Sequence, residues 1–268
     1  ASDVKAPDWT WYATGPGVGI QTTDGRLVVP CDPAIEKSED LYAHAIYSDD
    51  HGETWSKPID VTAMVKKPEW RAGSPGPGAG IQTRSGRLII PRYYLTGLDY
   101  HGSHVMYSDD HGQTWAIGGE VQAEGKTDET QVVELADGSL LLNMRGSIGN
   151  YRKLARSIDG GISWSEVGKD AFLIEPRCQA SLLRFTDRLT YLRDRLLFSN
   201  PASRQRENMT VRLSYDEGKS WSEPRELPIT LSGDRHTAKY LPDGRLFISF
   251  RSHTAVGSRV GIDKSPLP

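Results

Sequence analysis

One short motif occurs four times and constrains the fold more than any other feature of the chain. Tyr47 to Trp55 reads YSDDHGETW, Tyr107 to Trp115 reads YSDDHGQTW, Arg156 to Trp164 reads RSIDGGISW, and Leu213 to Trp221 reads LSYDEGKSW. All four fit S-x-D-x-G-x-[ST]-W. Their serines, Ser48, Ser108, Ser157 and Ser214, stand 60, 49 and 57 residues apart. Recurrence at such intervals marks an architecture of repeated modules. The residue types describe a hairpin turn. Asp50, Asp110, Asp159 and Asp216 can turn their carboxylates onto backbone N–H groups. Gly52, Gly112, Gly161 and Gly218 supply a positive φ. Trp55, Trp115, Trp164 and Trp221 then bury a large ring against a neighbouring layer. These aspartates are therefore read as turn formers, not as catalytic groups or calcium ligands.

A second periodic element lies between the boxes. Thr22 to Pro30 is TTDGRLVVP, Thr83 to Pro91 is TRSGRLIIP, Leu135 to Met144 is LADGSLLLNM, and Leu241 to Phe250 is LPDGRLFISF. A degenerate fifth copy is Tyr191 to Ser199, YLRDRLLFS. A turn pair followed by Leu, Val and Ile is a tight hairpin entering a buried strand. Two hairpins per unit make one four-stranded blade, so the chain is expected to be an all-β propeller with about five recognisable units. Helix should be scarce. No linker divides the chain, and residues 1–268 are read as one domain.

Composition narrows the function. The 268 residues carry 32 basic and 35 acidic side chains, a net charge of −3. That balance argues against a nucleic-acid partner, which calls for a basic excess or stripe. No apolar run approaches the roughly 18 residues of a membrane span. Residues Ala1 to Trp11 show no basic-then-apolar leader pattern. Cys31 and Cys178 define neither a disulfide framework nor a zinc site. His101-Gly-Ser-His104 has metal-like spacing without a third ligand and is expected to be an exposed loop pair. His51 and His111 fall inside the boxes and should face solvent. Asn208-Met-Thr210 has the form of a glycosylation sequon. No cofactor or metal motif is present.

Hairpin register points to a candidate site. Glu129 lies eight residues before the turn residue Asp137 and Arg145 eight after it. Antiparallel pairing about that turn brings both to the open end of one hairpin. The same count reaches Asp32 from Asp24, Tyr93 from Ser85, and Arg251 and Arg235 on either side of Asp243. Asp32, Tyr93, Glu129, Arg145, Arg235 and Arg251 are thus expected near one mouth of the central channel. For Glu129 and Arg145 a purely structural salt bridge at a strand end is the competing reading.

The chain resembles the sialidase (exo-α-neuraminidase) superfamily. The resemblance is carried by the four Asp boxes, WYATGPGVGIQ, GRLVVPCD, DETQVVELADGSLLLNMR at Asp128 to Arg145, EPRCQAS at Glu175 to Ser181, and LLFSNPASRQRENMTVRLSYDEGKSW at Leu196 to Trp221. It implies a six-bladed propeller that releases terminal sialic acid from glycoconjugates, with no cofactor. It also implies a sialylated glycan or other anionic sugar as partner and a secreted, periplasmic or lysosomal setting. Family members grip the sugar carboxylate with arginines, whose planar guanidinium forks match it. Their nucleophile is a tyrosine activated by a glutamate, since a phenol with a pKa near 10 is otherwise a poor nucleophile. By this resemblance Glu129 matches the activating glutamate, and Arg145 and Arg206 match two carboxylate-binding arginines.

The sequence also departs from the family pattern. The family's first arginine and its acid aspartate lie upstream of the first box, and here the chain opens almost directly on TWYATGPG. It is therefore expected to lack the N-terminal blade. The segment Gly15 to Pro30 returns as Gly76 to Pro91, so GPG-x-GIQ appears twice. Where the nucleophilic tyrosine is expected, before LPDG, stand Arg235 and His236. Tyr240 sits nearer the turn and is read as a packing residue. Tyr93 and Asp32 stand as substitute nucleophile and acid. Alternatives to the hydrolase remain open: a non-catalytic anionic-sugar-binding propeller, a scaffold propeller, and a two-carboxylate glycosidase using Asp32. Oligomeric state is not legible, although an open propeller edge would favour pairing with another chain.

Overall fold

The computed structural model describes residues 4–14, 18–35, 42–74, 77–97, 100–121, 123–227, 233–240 and 245–252. They form five successive antiparallel sheets. In the first, β1 (Trp9–Thr14) and β2 (Ile20–Gln21) both pair with β3 (Leu27–Ile35), followed by β4 (His44–Ser48) and β5 (Ile59–Asp60). A short helix, α1 (Thr62–Val65), leads to the second sheet. There β6 (Trp70–Ser74) and β7 (Ile81–Gln82) pair with β8 (Leu88–Thr96), then β9 (Tyr100–Ser108) and β10 (Ala116–Val121). The third runs β11 (Thr127–Glu134), β12 (Leu140–Gly146), β13 (Tyr151–Ser157) and β14 (Gly168–Ile174). The fourth holds β15 (Ser181–Thr186), β16 (Arg195–Pro201), β17 (Met209–Ser214) and β18 (Arg225–Glu226), with α2 (Arg188–Tyr191) inside its first hairpin. A hairpin of β19 (Gly233–Tyr240) and β20 (Leu246–Ser252) lies beside the fourth.

Four blades and one hairpin make the five units counted in the sequence, in a propeller arrangement. The family's six blades exceed what the described residues contain. Helix is as scarce as expected, with two four-residue helices among the described residues. The degenerate copy at Tyr191 to Ser199 does not form a tight turn. Asp187 caps α2 by accepting from the Thr190 N–H, and Leu192 closes it at φ 62°.

Unbroken apolar runs such as Leu88-Ile89-Ile90 arise because the middle strands are covered on both faces. Leu88 and Ile90 join Ile20, Val28, Met106 and Trp115 in the layer between the first two blades. Ile89 points the other way, into a layer with Val105, Val132 and Leu140. A third layer, around Leu141, Leu182 and Phe198, joins the third and fourth blades.

The boxes connect the third and fourth strands of each blade with one geometry. In every copy the serine hydroxyl donates to the aspartate at 2.7–2.9 Å, and the glycine N–H donates to the serine Oγ at 2.8 Å. The aspartate also accepts from the backbone N–H at 2.8–2.9 Å and the hydroxyl at 2.5 Å of the following Thr or Ser. These bonds, led by the hydroxyls of Thr54 and Ser163, pull Asp50 and Asp159 down to about 2. The turn requires two successive left-handed residues, one more than the motif suggests. His51, His111, Gly160 and Glu217 precede the glycines at φ between 59° and 73°.

The second, third and fourth boxes each pack on the preceding blade. A Cβ at Gly112 would touch Val28, one at Gly161 would touch Val105, and one at Gly218 would touch Leu141. Trp115, Trp164 and Trp221 accordingly join the three inter-blade layers. Trp55 departs from the expectation that all four rings bury, and is 37% exposed. Among the described residues no blade precedes its own.

Candidate active site at the mouth away from the Asp boxes

The boxes and the Asp-Gly turns share one end of the propeller. The opposite mouth is built from the connections between second and third strands and from the segments that join blades. At this mouth β11 and β12 pair irregularly. Thr127 faces Gly146 and Thr130 faces Met144, so Asp128 and Glu129 together oppose the single residue Arg145. This is a β-bulge. In a regular strand neighbouring side chains leave by opposite faces, and the bulge instead re-aims both carboxylates at one guanidinium. Arg145 Nη1 stands 2.8 Å from Glu129 Oε2 and 3.7 Å from Asp128 Oδ2. The three side chains are only 13–24% exposed. Burial works to lower the Arg145 pKa, but the charges of Glu129 and Asp128 outweigh it and raise it. The second blade supports the bulge. Ser103 Oγ donates to the Asp128 carbonyl at 3.0 Å, and His101 Nδ1 lies 3.8 Å from the Asp128 carboxylate.

Behind this cluster lies a second ion pair, fully enclosed. Arg152 Nη1 donates to Glu175 Oε2 at 2.9 Å, with side chains 0% and 1% exposed. Arg152 also donates to Asn143 Oδ1 at 2.6 Å and to the Cys178 carbonyl at 3.0 Å. Glu175 Oε1 accepts from the Gly146 N–H at 3.0 Å.

Arg206 lies in the connection between β16 and β17, at the same mouth. It is exposed, and its Nη2 donates to the Arg177 carbonyl at 3.3 Å. The charges of Arg206 and Glu129 both bear on Cys178, whose thiol burial pushes up to about 12. Arg206 and the Glu129–Arg145 pair therefore flank one segment, 175–178. Asp32 and Tyr93 join a different group: the charges of both act on Arg92, a buried residue of β8 whose Nη2 donates to the Gly73 carbonyl at 2.8 Å. Asp32 itself is 3% exposed. Arg251 faces Asp234 across the β19–β20 hairpin, and Arg235 falls in its irregular stretch. The side chains of Arg235 and Arg251 lie outside the described residues.

The histidine pair differs from expectation. His101 and His104 belong to β9, not to a loop, and their odd spacing sends them to opposite faces. His104 is buried against Trp70 and Tyr94, and desolvation keeps its pKa well below the ordinary imidazole value. No cluster that could hold a metal occurs among the described residues. His51 and His111 face solvent as expected.

Asp128, Asn143, Arg152 and Glu175 were not singled out by register counting. The count assumes a regular ladder, and a bulge is invisible to it. Asp128 and Asn143 stand in the segment DETQVVELADGSLLLNMR and Glu175 in EPRCQAS, so only Arg152 lay outside the segments that carry the resemblance.

At the opposite mouth a cavity of about 1010 Å³ is lined by the ends of β2, β7, β11 and β15. Arg84 pairs there with Glu134 of the next blade, and Arg184, paired with Glu217 of its own blade, reaches across to donate to the Glu134 carbonyl at 3.0 Å. Those contacts hold blades together, whereas the pair at the other mouth, Glu129 and Arg145, lies within one blade. There, a buried-edge guanidinium can bind a carboxylate in a fork, and the adjacent glutamate can accept a proton.

The BNR repeat-like domain family matches residues 31–240. A sialidase of Bacteroides fragilis (strain YCH46) is 37% identical over 222 residues, covering 82% of this chain and 40% of that protein. A sialidase of Micromonospora viridifaciens is 37% identical over 237 residues, covering 85% of this chain and 35% of that protein. The chain thus spans less than half the length of these two relatives. Among solved structures, a Hadza microbial sialidase superimposes with a TM-score of 0.75 at 30% identity, covering 83% of this chain and 46% of that one. A leech intramolecular trans-sialidase, solved with 2,7-anhydro-Neu5Ac, superimposes with a TM-score of 0.63 at 26% identity, covering 80% and 33%.

Proposed function

The chain belongs to the sialidase superfamily as a BNR-repeat propeller, and from that premise we propose that it is a glycoside hydrolase that releases terminal sialic acid from glycoconjugates. The observation that carries this reading is the 2.8 Å contact between Arg145 and Glu129 at the bulge. It joins a cation suited to an anomeric carboxylate to a base suited to a phenol. In the proposed reaction Arg145 and Arg206 hold the sugar carboxylate, and Glu129 takes the proton of the nucleophilic tyrosine. A neutral phenol avoids the repulsion that a carboxylate nucleophile would meet from an anionic substrate. Tyr93 is the candidate nucleophile and Asp32 the candidate acid, both drawn from the group around Arg92, which adjoins the bulge through Ser103, the partner of Tyr93 in β9 and a donor to the Asp128 carbonyl. Arg235 and Arg251 complete the proposed rim. The domain so proposed is a single propeller over residues 1–268. No helix among the described residues is long and apolar enough to cross a membrane.

The test is hydrolysis of a fluorogenic α-sialoside by the folded protein, with Arg145→Ala alongside. Turnover that falls at least a hundredfold in the variant supports the reading. A wild type that binds a sialic-acid glycal without turnover would make the site a binding site, and one that does neither would refute the proposal.

A further inference from the structure

We infer that Arg152 and Glu175 form a buried positioning pair that fixes Arg145 and Arg206 relative to each other, and this rests on the reading that those two arginines grip one anionic ligand. Neither residue touches the mouth itself. Both side chains are enclosed, at 0% and 1% exposure. A buried ion pair is a poor source of stability, because desolvation offsets the attraction and a well-packed apolar pair often does as well. What this pair adds is direction.

Glu175 is bonded on three sides. Its Oε1 accepts from Gly146 N–H at 3.0 Å, and Gly146 follows Arg145 directly at the end of β12. Its backbone N–H donates to the Asn150 carbonyl at 2.9 Å, and Asn150 Nδ2 donates back to the Glu175 carbonyl at 3.2 Å. Its Oε2 accepts from Arg152. Arg152 then spends its remaining donors on Asn143, in β12, and on the Cys178 carbonyl. The pair therefore ties β12, the β12–β13 connection and the 175–178 segment into one body. In that segment Arg177 is held at φ 55°, and its carbonyl is the one that accepts from Arg206. One arm of the network ends beside Arg145, the other beside the acceptor of Arg206. Glu175 also acts on Arg145 directly through its charge.

The experiment compares the wild type, Glu175→Gln, and the double variant Arg152→Met with Glu175→Leu. The double variant removes both charges and keeps the volume, so it is expected to remain folded. Two readouts are taken: the Nε–Hε resonances of Arg145 and Arg206 without ligand, and the affinity for a sialic-acid glycal. Expected in the folded double variant are shifted and broadened resonances for both arginines, and binding weaker by at least tenfold. Glu175→Gln, which keeps an acceptor for Gly146, is expected to fall between. A folded double variant with wild-type arginine resonances overturns the inference. If the double variant does not fold, unchanged resonances and affinity in Glu175→Gln overturn it equally. A wild type that binds no glycal, with arginine resonances still lost in the variants, would leave the positioning role standing and remove the proposed function.

Discussion

Replacing Arg145 by alanine leaves Asp128 and Glu129 side by side in the bulge with no cation between them. Both carboxylates are at most 15% exposed, so water cannot fully take over the guanidinium's role. Removing one partner of a fully buried ion pair costs about 3–5 kcal/mol, and somewhat less where, as here, some water reaches the remaining carboxylates. The expected loss of stability is therefore about 2–4 kcal/mol. At roughly 2–4 °C per kcal/mol for a domain of this size, the melting temperature should drop by about 5–15 °C. The same guanidinium is the proposed anchor of an anionic sugar. Losing a desolvated carboxylate contact of about 2–4 kcal/mol should weaken glycal binding by roughly 30- to 1000-fold. A double-mutant cycle separates the two effects. Arg145→Ala, Glu129→Gln and the combination, followed by urea unfolding and titration calorimetry, should give a coupling energy of about 1–3 kcal/mol in stability. A coupling below about 0.5 kcal/mol would mean that the 2.8 Å contact carries no interaction energy. Glycal affinity unchanged in Arg145→Ala would refute the assignment of that residue to ligand binding.

Three further outcomes follow from the fold. The box aspartates Asp50 and Asp159 are held at about 2 against an ordinary value of 3.8, so the stability they contribute is present above pH 4 and lost as pH falls towards 2; the urea midpoint should fall across that window, and less steeply in Asp159→Asn. Trp115, 5% exposed between two blades, should cost about 3–5 kcal/mol when replaced by alanine, against a far smaller cost for the 37%-exposed Trp55; equal losses in chemical denaturation would contradict the layer assignment. Cys178 is buried with its thiol pushed up to about 12, and Cys31 is buried as well. A thiol reagent at pH 8 should therefore modify neither until the chain unfolds, and rapid labelling of the native protein would contradict the packing.

The repeat by itself determines the architecture. Four boxes and five turn-and-strand runs specify blades, because local turn chemistry and strand-length apolar runs are properties of contiguous residues. The hydrogen bonds of Ser48, Asp50 and Gly52 are written in their own motif. Pairing of Glu129 with Arg145 was legible for the same reason, since a hairpin's two strands can be counted outward from its turn. Counting could not reach Asp128, because the bulge adds a residue that no pattern marks. Nor could it tell Trp55 from Trp115, whose motifs are nearly identical, since exposure depends on which blade lies alongside. His104 was misplaced because a strand buried on both faces can hold an imidazole against Trp70 and Tyr94, whereas a spacing rule sees only a loop. The Arg152–Glu175 pair joins residues 23 apart across three elements. Only the folded chain decides such a contact, because desolvation and donor geometry are set by neighbours that the local sequence does not name.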